Sequence, residues 1–68
     1  MLLNLKAELI KKGARPILAI TNTINCTEKT AYNKLNGGTA FTVPEALAIM
    51  DKFFRDDDFS VAYLFANK

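Results

Sequence analysis

Sixty-eight residues suffice for one domain, and a chain this short buries only roughly 60% of the surface its unfolded form exposes. Half of the residues are hydrophobic, enough for one core, while the lone Cys26 excludes a disulfide framework or thiolate metal cluster, and the lack of histidine removes the commonest general base and metal ligand. The net charge of +2 is unevenly spread: six basic residues face two acidic ones over 1–38, giving +4, and three face five over 39–68, giving −2. Such asymmetry fits one face for a polyanion, and equally an ordinary mixed surface.

No apolar run approaches the roughly 18 residues of a membrane span, and Lys6 and Glu8 interrupt the N-terminal apolar stretch too early for a signal peptide. A cytoplasmic protein is expected. With no histidine, metal-ligand spacing or nucleotide fingerprint, the sequence offers no enzyme, no cofactor and no small-molecule substrate.

The boundary signals are all helical, and predict an all-α chain of five short helices. The first runs from about Leu2 to Lys12, with Leu2, Leu5 and Leu9 on a buried stripe and Gly13 ending it. Pro16 opens the second, where its missing N–H has no partner to lose. Ile17, Ile20 and Ile24 face the core, and Asn25 can take the left-handed conformation that stops the helix. Thr27 caps a third helix, Glu28 to Leu35, whose apolar stripe is only Ala31 and Leu35. Asn36-Gly37-Gly38 ends it. Thr42-Val43-Pro44-Glu45 is a capping box opening a fourth helix, with Ala46, Leu47, Ile49, Met50, Phe53 and Phe54 as its buried face. Asp56-Asp57-Asp58 reads as a solvated turn. Ser60 caps a last short helix, with Phe59 and Leu64 as a staple and Tyr63, Leu64 and Phe65 packing back onto the core.

The third helix is the oddity. It spends little on the core and offers Glu28, Lys29, Thr30, Tyr32, Asn33 and Lys34 elsewhere. It follows another helix after a tight turn, the helix-turn-helix arrangement, over about 16–36. A major groove about 12 Å wide admits one such helix.

The run Cys26-Thr27-Glu28-Lys29-Thr30-Ala31-Tyr32-Asn33-Lys34-Leu35-Asn36-Gly37 resembles the recognition-helix segment of the lambda-repressor-like, Cro/repressor-type (XRE-type) helix-turn-helix family. The likeness extends through Asn4-Leu5-Lys6-Ala7-Glu8, Lys12-Gly13, Phe41-Thr42, Glu45-Ala46-Leu47, Phe53-Phe54 and Tyr63-Leu64-Phe65, and is similar to short phage and prophage regulators of Gram-positive bacteria. Asn33-Lys34-Leu35-Asn36-Gly37 is its most specific piece. The start of the second helix departs from the pattern: Arg15-Pro16-Ile17 stands where the family carries a Ser/Thr-Gln pair.

The resemblance implies a single DNA-binding domain over 1–68 that regulates transcription by sequence-specific binding to double-stranded DNA. It places Glu28, Lys29 and Asn33 at base edges, where lysine can donate to guanine, asparagine can pair with adenine and glutamate can accept from cytosine. Glu28 has a second reading, as an acid favourable at a helix N-terminus that touches no base. Tyr32 is assigned to the sugar-phosphate side or a thymine methyl. Thr27, Thr30, Lys34 and the backbone N–H groups of Asn36, Gly37, Gly38 and Thr39 are assigned to phosphates, with Arg15 able to add its own contact.

Other residues read as structural. Cys26 is expected in the core, Glu45 as a cap, and the acidic triplet as surface rather than a calcium loop. The last helix is more apolar than its length needs, so it either forms the two-fold contact of a homodimer or closes the core with Phe65. The competing function is a protein-interaction module on the same scaffold, binding another regulator instead of DNA.

Overall fold

Each helix start signalled by the sequence lies within a residue of its expected place. The computed structural model describes residues 1–67 and contains α1 (Leu3–Lys11), α2 (Pro16–Ile24), α3 (Glu28–Asn36), α4 (Val43–Phe53) and α5 (Val61–Leu64). The fold is all-α, with no strand among the described residues. None of its helices is long and apolar enough to cross a membrane.

The ends form for the expected reasons. Gly13 leaves α1 at φ 79°, and Asn25 leaves α2 at φ 56°, in the left-handed region that asparagine tolerates. The Thr27 hydroxyl accepts the Thr30 N–H at the start of α3. At α4 the capping box closes both ways: the Glu45 N–H donates to Thr42 Oγ1 (3.3 Å), and the Thr42 N–H donates to Glu45 Oε1 (3.0 Å). Ser60 accepts the Tyr63 N–H and starts α5.

One apolar core joins all five helices. Leu2, Leu5 and Leu9 bring the α1 stripe to it, Ala19 and Ile20 come from α2, and Ala31 and Leu35 from α3. Ile49, Phe54 and Leu64 complete it. Full burial of such a side chain contributes roughly 1.5–3 kcal/mol. Phe54, just past α4, meets Phe59 edge-on at 5.7 Å. Phe65 meets Phe41 the same way at 5.1 Å, so the residue that ends α5 packs on the α3–α4 loop.

Four side chains outside α3 depart from expectation. Leu47 is 54% exposed, because it stands one residue round α4 from the buried Ala46, on the side of Val43. Cys26 is half-buried, packing against the core from the short turn between α2 and α3. Tyr63 lies at the surface, stacked on Phe59 at 5.4 Å, and donates its hydroxyl to buried Glu8 (3.0 Å). Glu8 as acceptor holds that hydroxyl above its ordinary pKa. Asp57 is not simply solvated: it is half-buried and paired with Lys12, whose ammonium lies 5.9 Å from the Phe54 ring.

Candidate nucleic-acid interface

Three residues, Asn25-Cys26-Thr27, separate α2 from α3. Because Asn25 is left-handed, the chain turns sharply and α3 packs on α2. The helical period then decides what α3 shows. Ala31, Lys34 and Leu35 fall on one side and are buried. Glu28, Lys29, Tyr32, Asn33 and Asn36 fall on the other and are exposed, and Thr30 lies at the margin.

The three expected base-edge residues, Glu28, Lys29 and Asn33, stand on this outer face together with Tyr32. Glu28 and Tyr32 are four residues apart on one ridge, and Lys29 and Asn33 four apart on the next. Tyr32 is 54% exposed. Arg15 is also exposed, at the far end of α2, about 13 Å along the nine-residue helix from the turn. Thr27 and Thr30 are joined, the Thr27 hydroxyl donating to the Thr30 hydroxyl at 3.0 Å. Asn36 and Thr39 are exposed.

Two expectations about phosphate contacts need correction. The first concerns Lys34. Its side chain is 9% exposed, and its ammonium donates to Glu45 Oε1 (3.0 Å) and the Ala40 carbonyl (3.1 Å) while lying 5.6 Å from the Phe41 ring. Being three residues from Ala31 and next to Leu35 places it on the inner face, and a buried ammonium needs such partners. The second concerns the backbone after α3. The Gly37 N–H donates to the Lys34 carbonyl, and the Gly38 and Thr39 N–H groups both donate to the Asn33 carbonyl. These amides close the end of α3, with Gly37 left-handed at φ 89°, and do not point outward. Asn36 lies within the helix, and its side chain, not its N–H, is what it presents.

Glu45 was legible as a cap but not as the partner of Lys34. The Thr42 N–H, and then Lys34, hold its carboxyl below the usual glutamate range. Its signal lay in the helical period: a lysine on the inner stripe of α3 requires an acid nearby.

The charge asymmetry of the sequence is largely cancelled in space. Lys12 pairs with Asp57 and Lys34 with Glu45, each joining the basic half to the acidic half, and Lys11 lies 3.5 Å from Glu8. Lys6, Arg15 and Lys29 are the cations of the basic half outside any ion pair among the described residues.

A second surface feature gave no sequence signal. An apolar cleft of about 270 Å³ opens between the α3–α4 loop, the first turns of α4, and α5, lined by Phe41, Val43, Ala46, Leu47, Val61 and Phe65 among others. Val43, Leu47 and Val61 are its exposed rim. Comparison with known proteins found no family model, curated protein or solved structure that matches the chain.

Proposed function

We propose that the chain is a sequence-specific duplex-DNA-binding regulator of transcription, with α2, the turn and α3 acting as a helix-turn-helix. The observation that carries this reading is the outer face of α3. It presents Lys29 and Asn33, both base-reading side chains, free of internal bonds and close enough to enter one groove together. Glu28 and Tyr32 flank them on the neighbouring ridge. Arg15, Thr27, Thr30, Asn36 and the Thr39 side chain are the proposed phosphate contacts. The motif likeness to XRE-type phage regulators agrees with this assignment.

A selection from random duplex oligonucleotides tests the proposal, followed by titration in rising salt. The expected result is a preferred sequence and a modest salt dependence. With Lys6, Arg15 and Lys29 as the unpaired cations of the basic half, log K should fall against log salt with a slope no steeper than about −3 per protomer.

One such unit covers only roughly 600–1,000 Å² on DNA, so useful specificity calls for a second copy. We propose a homodimer, with the exposed Val61 of α5 in the contact. Leu64 is wholly buried and Phe65 packs on Phe41, so these two serve the core. The apolar cleft supports the second reading, a module that docks another regulator. Affinity for a protein partner that is indifferent to salt, with no preferred duplex, would favour it.

A further inference from the structure

We propose that Lys34 and Glu45 are positioning residues, which fix the C-terminal end of α3 against the loop that follows and the first turn of α4, and so set how the outer face of α3 is offered. The inference rests on the DNA reading above and concerns residues that would not touch DNA. The apolar grip of α3 on the core comes from two buried side chains, Ala31 and Leu35, and Ala31 is small. A helix held so narrowly can rock about its own axis. Lys34 opposes this from the same inner face. It donates to Ala40 O, which folds the loop back, and to Glu45 Oε1. That same oxygen accepts the Thr42 N–H, so one atom both caps α4 and holds α3. The Phe41 ring beside the ammonium completes the seat. A lysine so engaged would have to leave a carboxylate before it could reach a phosphate.

The test compares Lys34→Met, Lys34→Arg, Glu45→Gln and the double variant Lys34→Met/Glu45→Gln with the intact chain. Each is titrated on the duplex selected by the intact chain, at several salt concentrations and at a temperature where circular dichroism shows it folded. Lys34→Met keeps the stem and removes the charge, and should weaken binding about tenfold with the salt slope unchanged, because no phosphate contact is lost. Lys34→Arg should restore most of the affinity. Glu45→Gln should fall between, and the double variant should be no weaker than Lys34→Met alone, since the two residues form one unit. In the DNA-free protein, the Gly38 and Thr39 amides of Lys34→Met should exchange about tenfold faster relative to those of Leu5 and Leu9, a local opening. A slope shallower by about one unit in Lys34→Met would make Lys34 a phosphate contact and overturn the proposal. So would unchanged affinity, or an exchange increase spread evenly over the chain. If the intact chain bound no duplex at low salt, the DNA reading would fall, and the exchange result alone would decide whether the tie positions α3.

Discussion

The two ends of α3 are built to different ends. At its start, one threonine hydroxyl caps the helix, and Glu28, Lys29 and Tyr32 stand in solvent. At its finish nearly every group is committed: the Leu2 N–H donates to the Leu35 carbonyl, Gly37 turns the chain, Asn33 O accepts two amides, and Lys34 is tied to Ala40 and Glu45. A helix anchored at one end and along one face can hold the other end rigidly outward without spending core on it. The difference also explains why neighbouring residues of one short polar helix should respond so differently to substitution.

The largest expected effect lies on the anchored face. Leu35→Ala removes a side chain only 4% exposed and should cost about 2–5 kcal/mol in urea unfolding, enough to unfold much of so small a domain. Tyr32→Ala, three positions earlier, should stay within about 0.5 kcal/mol of the parent. Comparable losses at both sites would erase the distinction between the faces.

Gly37→Ala should cost about 1–2 kcal/mol for placing a Cβ at positive φ. The added carbon would also lie 2.7 Å from the Asn67 side chain, which has to move. At the other end, Thr27→Ala loses one cap and should cost about 1 kcal/mol, with Thr27→Ser close to neutral. Thermal or urea midpoints check both.

The smallest effect is a pH dependence. The Thr42 N–H and Lys34 hold the Glu45 carboxyl low in the folded chain, so the unfolded chain binds a proton there first. The stabilisation is therefore complete above the ordinary glutamate pKa, about 4.3, and is lost as pH falls through the depressed folded value. The difference in urea midpoint between the parent and Glu45→Gln should shrink over that acid range. A difference that stayed constant from neutral pH down to about pH 2, below the usual glutamate range, would mean that the charge of Glu45 contributes nothing.

The helices were legible because their ends carry strong local chemistry: Pro16, Asn25, Thr27, Gly37, the Thr42–Glu45 box and Ser60 all act within a few residues. The outer face of α3 was legible from its period. The same period puts Lys34 on the inner stripe, but a lysine in a polar helix reads as surface while its partner, eleven residues on and brought beside it by the 37–42 loop, is out of view. The pairing of Lys12 with Asp57 escaped for the same reason, and with it the cancellation of the basic half. The cleft around Val43, Leu47 and Val61 depends on how three segments meet, which no local pattern encodes.

The central claim is that the free end of α3 reads DNA, and one titration tests it most directly. The intact chain, Lys29→Ala and Asn33→Ala are each titrated against a selected duplex and a scrambled one at several salt concentrations. The intact chain should discriminate between the two duplexes, and each variant should lose about 1–3 kcal/mol of that discrimination, roughly 5- to 150-fold, at its own base position. Discrimination that survives both substitutions would show that another surface does the reading. Failure of the intact chain to bind either duplex at low salt would contradict the DNA assignment altogether.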